Sequence, residues 1–123
     1  MGTYPNLVSE FFRAALAVPK IEFLRRHRSL KIATNEARRI GASSIKRSSA
    51  ERRILRTAIA AVDSLLPGKP NCLRRSLMEI AMDSGAAREH LLAGFRAGGG
   101  PRSGHAWLES HKPDKTYDAI FPI

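Results

Sequence analysis

Residues 71–85 read NCLRRSLMEIAMDSG, and they follow a segment, LPGKPN at 66–71, whose two prolines and one glycine cannot continue a helix. Beyond it Leu73, Leu77, Ile80 and Ala81 recur at helical spacing. This predicts a helix from about Cys72 to Ser84, stopped by Ser84-Gly85, with Arg74, Arg75, Glu79 and Asp83 more exposed. Cys72 opens that helix. Its sulfur falls beside unpaired N–H groups at the positive end of the helix dipole, with Arg74 and Arg75 in the same turn, an environment that stabilises negative charge on sulfur. A lone cysteine is as often an inert small apolar group of a core, so position alone assigns it no chemistry.

Working back from the linker, Ser48 and Glu51 form a capping box, and Ile54, Leu55, Ala58, Ile59, Val62 and Leu65 make an apolar face running to Leu66. The first segment places Leu7, Val8, Phe11, Phe12, Ala15 and Leu16 on one helical stripe, with Pro19 expected to close that helix. A second helical stretch is expected over about Ile21 to Ile40, with Gly41 as its stop. Working forward, three strand-like pieces follow at Glu89–Arg96, Gly104–Glu109 and Thr116–Phe121, separated by the loop-like AGGGPRS and SHKPDK. Helices first and antiparallel strands last is an α+β order.

In the strand GHAWLE, two-residue alternation puts His105, Trp107 and Glu109 on one face and Ala106 and Leu108 on the other. A cysteine at a helix start and a histidine on a following strand are what a thiol nucleophile and its base require, although a single strand histidine is more often structural. A carboxylate would complete the set by holding the imidazole tautomer. If Gly104–Glu109 and Thr116–Phe121 form a hairpin, His105 faces Asp118 and Glu109 faces Asp114, which favours Asp118 over Asp114. His90 and His111 read as a strand residue and a loop residue without a role.

The chain has 123 residues, 43% apolar and 26% charged, which fits one globular domain and excludes a disordered or collagen-like chain. One cysteine excludes an internal disulfide framework and a multi-cysteine zinc site, and it suits a reducing cytoplasm. Without CxxC, HxxxH or HExxH spacing, no metal site is expected, and AGGGPR lacks the pattern of a phosphate loop. No apolar run is long enough for a membrane span, and Glu10 and Arg13 interrupt any signal-peptide reading of the first segment. The formal charge of +10 is uneven: residues 1–70 carry 14 Lys and Arg against 5 Asp and Glu, residues 71–123 carry 7 against 6. Such a basic half could meet nucleic acid, an anionic membrane surface or an acidic peptide, or simply be a solvated face.

The block NCLRRSLMEIAMDSG, the strand LLAGFR, then GHAWLE and a terminal TYDAIF together resemble the leader peptidases of bacterial lasso-peptide gene clusters, the B proteins, with their transglutaminase-like cysteine-protease core. The resemblance covers about residues 50–123 well and the basic helical residues 1–49 more loosely. It implies a single α+β domain over 1–123: a basic helical part (1–69), then a transglutaminase/papain-like catalytic core (70–123) with its cysteine at a helix N-terminus packed on a small antiparallel sheet. It also implies Cys72 as nucleophile, His105 as base and Asp118 as orienting acid, with no cofactor. The implied reaction cuts the leader from a ribosomally made precursor in the cytoplasm, before a separate cyclase forms the macrolactam. Some members carry a β-rich leader-recognition domain ahead of the protease. Residues 1–70 read as helices without a strand pattern, so no fused recognition domain is expected. The partners are then the precursor peptide, a separate recognition protein and the cyclase, and not nucleic acid. Two other classes stay open: a transglutaminase-like acyltransferase, which would share fold and triad, and a basic helical nucleic-acid-binding module, which would leave Cys72, His105 and Asp118 idle.

Overall fold

A computed structural model of the chain describes residues 6–68, 71–95, 104–111 and 119–123. Four helices, α1 (Leu7–His27), α2 (Leu30–Ala42), α3 (Ser49–Leu65) and α4 (Cys72–Met82), precede a 3-10 turn at Ala86–Arg88 and three strands, β1 (Leu91–Phe95), β2 (Gly104–Leu108) and β3 (Ala119–Pro122). The α+β order expected from sequence is the order observed.

Pro19 does not close α1, which runs through it to His27. A proline inside a helix removes one hydrogen bond and crowds the carbonyl four residues back, at a cost of about 3 kcal/mol. Here Ile21 and Leu24 lie just beyond it, both buried in the core, and α1 packs along α3. That burial offsets the proline, and the chain breaks instead at Arg28, whose extended backbone precedes Ser29, the cap of α2. One expected helix over 21–40 is therefore the end of α1 plus all of α2. The apolar stripe of the first segment is mostly turned outward, with Phe11 alone of its large residues packed against the core. Leu7, Val8, Phe12 and Leu16 are exposed, while Glu10, Ala14, Ile21 and Leu24 are buried. The reason is Glu10, whose carboxylate takes both Nε (2.6 Å) and Nη2 (3.0 Å) of buried Arg47.

Gly41 is not a stop either, since α2 continues to Ala42. Ala33, Ala37 and Gly41, spaced four apart, form a buried strip that lets α2 lie directly against α4. A Cβ on Gly41 would stand 1.8 Å from the Ile80 carbonyl oxygen. The Ser48–Glu51 capping box is present in both directions, at 3.2 and 2.9 Å. α4 is buried nearly all round, which overturns the exposure expected for Arg74, Glu79 and Asp83. Each is kept inside by an opposite charge or a backbone N–H.

The expected hairpin between the second and third strands does not form. The sheet order is β2-β1-β3, antiparallel throughout, with Gly94 opposite His105 on one side and Ile120 on the other. The outer edge of β2 is already occupied: the Ala106 N–H donates to Cys72 Sγ at 3.3 Å. β3 pairs with the other edge of β1. The alternation along β2 holds, since the His105 and Trp107 rings stack on one face, 5.7 Å apart, while Leu108 joins Leu91 in the core. His90 lies just before β1 rather than in it.

The α2–α4 crossing yields the first prediction. Gly41→Ala must push two backbones apart, so it should destabilise the fold by about 3 kcal/mol, the upper range for overpacking. A denaturant midpoint unchanged by the substitution would show that α2 does not approach α4 this closely.

Candidate active site

Cys72 is the first residue of α4, held from both sides by local polar contacts. The extended Asn71 caps the helix, its side-chain oxygen accepting the Arg74 N–H at 2.9 Å, and its own N–H donates to Asp63 Oδ2 at 3.1 Å. Asp63 lies at the end of α3, fully buried, and also takes Arg74 Nε at 2.6 Å and Arg75 Nε at 2.7 Å. Three donors converging on one carboxylate thus tie the start of α4 to the end of α3. Across from them, β2 presents the Ala106 N–H to Cys72 Sγ, and His105 is its neighbour on the strand.

Cys72 and His105 both line an open cleft of about 450 Å³ between α3, α4 and β2. Half-buried Cys72 and exposed His105 are therefore reachable from solvent. Asp118 and Asp114 lie outside the described residues. Another carboxylate lines the cleft: Glu79, two turns along α4 from Cys72. It is already engaged by Arg52, by Arg56 Nε at 3.1 Å and by His111 Nε2 at 3.5 Å, so it has little capacity left to orient His105. Among the described residues no group of three or more His, Cys, Asp or Glu side chains could hold a metal ion, and no helix is long and apolar enough to cross a membrane.

Sequence reasoning gave His111 no role, yet it stands in the cleft wall against Glu79. It also missed the basic lining. Arg53, Arg56, Thr57 and Ala60 on α3 face Cys72, Arg75, Ser76 and Glu79 on α4. Both sets follow the i, i+3, i+4, i+7 rule for one helix face. That periodicity is visible in the sequence, but polar residues at helical spacing ordinarily mark a solvated face.

Glu79 in the cleft wall and three carboxylates that pair with nearby arginines are held in their charged form. Burial works against Asp63, but the hydrogen bonds from Arg75, Arg74 and the Asn71 amide outweigh it and keep its carboxyl below the ordinary value. Burial likewise opposes Glu79, where His111, Arg52 and Arg56 prevail, and Glu89, where Ser110 and Arg52 prevail. Glu22, bonded first by Arg25 and then by Arg74, is lowered to about 2.

A family model described as the transglutaminase-like superfamily matches residues 13–113, which include Cys72 and His105. No curated protein and no solved structure matches the chain.

Depressed folded-state pKa values mean that the stability these carboxylates provide is present above the unfolded carboxylate range, near 4, and is lost as pH falls through the folded values. Stability should therefore hold from neutrality to about pH 5 and decline toward pH 2, followed by denaturant titration across that range. Asp63→Asn should cost about 3 kcal/mol at neutral pH by leaving buried Arg74 with Glu22, at 3.3 Å, as its remaining carboxylate, and should flatten the acid limb. A variant as stable as the parent would show that the start of α4 is held by something else.

Proposed function

The chain belongs to the transglutaminase-like superfamily, which includes cysteine proteases and acyltransferases, and on that premise we propose that it is a cysteine peptidase that removes the leader from a ribosomally made lasso-peptide precursor. The observation that supports this reading most is the meeting of Cys72 Sγ with the β2 strand at Ala106, directly beside His105, at the mouth of an open cleft.

In this mechanism Cys72 Sγ attacks the scissile carbonyl carbon while His105 takes the thiol proton. The tetrahedral oxyanion is met by the N–H of Cys72, which at the first position of α4 has no acceptor within the helix. Collapse breaks the C–N bond, His105 passes its proton to the departing amine, and a thioester to the leader remains. His105 then draws a proton from water, which attacks the thioester, releases the leader carboxylate and returns the proton to Sγ. Asp118 is assigned to orient His105 on the family resemblance alone, since the strand pairing that favoured it over Asp114 does not form, and the freed amine is the one a separate cyclase would join to a side-chain carboxyl. The reaction is assigned to the cytoplasm, where the precursor is made.

A separate chain is assigned to leader recognition. The described residues of 6–68 are helical, with no sheet to extend a bound peptide, and α1 offers an alternative use for its outer face. Val8, Phe12, Leu16 and Phe23 lie exposed on that face, opposite buried Ala14 and Ile21. A contiguous exposed apolar strip of this kind is characteristic of a protein-binding surface. Basic residues of the same half would draw in an acidic partner or leader.

Two predictions test the reading. Cys72→Ala and His105→Ala should each lower cleavage of the cognate precursor by at least about a thousandfold with the circular dichroism spectrum unchanged, while Asp118→Asn should impair it less. Iodoacetamide should label Cys72 and abolish processing. A fully active Cys72→Ala would sink the proposal, greater damage from Asp114→Asn than from Asp118→Asn would reassign the acid, and a mass gain matching an added amine would indicate acyl transfer instead. Cleavage should also be faster with the recognition protein than without it, and slower at high salt as exposed charges are screened. Equal rates with and without that partner would contradict divided recognition.

A further inference from the structure

The cleft is not electrically neutral along its length. Three guanidinium groups line it, those of Arg53, Arg56 and Arg75. Arg75 is taken up by Asp63 at 2.7 Å, and Arg56 by Glu79 at 3.1 Å and Ser110 at 3.3 Å. Arg53 is exposed and forms no ion pair with any described residue. Among the described residues it is the one cleft guanidinium with no carboxylate partner, in the wall of the cleft that holds Cys72. Its place along the cleft follows from its neighbours: Arg52 and Arg56, which flank it on α3, both contact Glu79, so Arg53 lies at the Glu79 end. Glu79 is seven residues along α4 from Cys72. At 1.5 Å per helical residue the separation is about 10 Å, which an extended peptide spans with about three residues.

Taken with the proposed peptidase function, on which it rests, the geometry points to Arg53 as a specificity-determining residue that binds an acidic side chain about three residues from the scissile bond, and reaction order, rather than geometry, selects the leader side. The acyl side is the one where such a contact counts twice, because the leader stays bound through both formation and hydrolysis of the thioester. Arg56 and Arg75, each paired with a carboxylate, are not free to close on the ligand. Buried Glu79 does not oppose it, since Arg52, Arg56 and His111 surround its carboxylate.

The test uses peptides of leader sequence ending in a chloromethyl ketone, which alkylates a reactive thiol without requiring hydrolysis. Glu or Gln is placed two, three or four residues before the warhead, and the rate of Cys72 labelling is measured by mass spectrometry on the full chain. Glu should be favoured about fivefold over Gln at the third position, a ratio expected of one half-exposed ion pair. The ratio should fall to about one in Arg53→Gln and favour Lys over Glu in Arg53→Glu, since a peptide charge then meets its opposite only when basic. Arg53→Gln keeps a good helix former at an exposed site, and thermal melting confirms that the variant folds. A Glu/Gln ratio of one at all three positions, or a ratio unchanged in Arg53→Gln, would overturn the assignment, and so would failure of every peptide to label Cys72. Glu-selective labelling without cleavage of the intact precursor would instead overturn the peptidase reading and leave the subsite standing, whereas cleavage without Glu selectivity would do the reverse.

Discussion

The position of Cys72 depends on one buried carboxylate. Asp63 closes α3 and collects the Asn71 amide, Arg74 and Arg75, all at the turn where α4 begins. Without that convergence the segment after Leu66, which contains two prolines and Gly68 at φ +92°, would have little to fix where the next helix starts. Because a helix start also fixes which N–H groups lack partners, the same carboxylate decides the electrostatics around the sulfur. The arrangement is costly to desolvate, and breaking it would cost more than never having built it, since Arg74 has no route to solvent. Such ionic joints set position more than they add stability. Here the position is that of the one thiol in the chain.

A second buried joint does for the far end of α4 what Asp63 does for its start. Arg47, in the segment between α2 and α3, reaches Glu10 of α1 and the Met82 carbonyl, and its backbone N–H meets Asp83 at 2.7 Å. Asp83 also caps the following turn by accepting the Ala86 N–H at 2.9 Å. Both ends of α4 are thereby tied to the helical half, and its middle, Leu77, Met78 and Ile80, fills the core. The helix that begins with Cys72 is a rigid central strut, which is what placing a reactive atom within a fraction of an ångström requires.

The features legible in the sequence were local ones. The Ser48–Glu51 box, the helix starting at Cys72 and the face shared by His105 and Trp107 each depend on residues within a few positions of one another. What escaped depends on partners far along the chain. Nothing near Pro19 announces that Ile21 and Leu24 have a core waiting for them. Gly41 looks like a stop until Ile80, on another helix, is seen against it. The strand order failed for the same reason: pairing by proximity joins the last two strands, whereas the edge of β2 is occupied by Cys72, more than thirty residues earlier. Arg74, Glu79 and Asp83 were placed outside because charge alone argues for water, and only their distant counter-charges argue for burial. Of the candidate site, residue type and local element singled out Cys72 and His105, which the fold brings to one cleft, while Asp118 and Asp114 lie outside the described residues.

The same distinction explains why the cleft was harder to read than its chemistry. A cysteine at a helix start and a histidine on a strand stand out by residue type, but a cleft wall is made of ordinary surface residues that happen to face each other. Arg53 on α3 and Cys72 on α4 belong to one cleft only because Asp63 brings the two helices together in antiparallel sense, so that Glu79 comes level with Arg52 and Arg56 while Cys72 stays level with the end of α3. The charge of the basic half is therefore not one uniform property. Arg47, Arg52 and Arg74 are internal ties satisfied by buried carboxylates, whereas Arg53 is exposed and has no ion-pair partner among the described residues. Net charge counts them alike. A cation can contribute to recognition only when the fold leaves it without a counter-charge and on the wall of the cleft, and among the described residues Arg53 is the cleft arginine that fits both conditions.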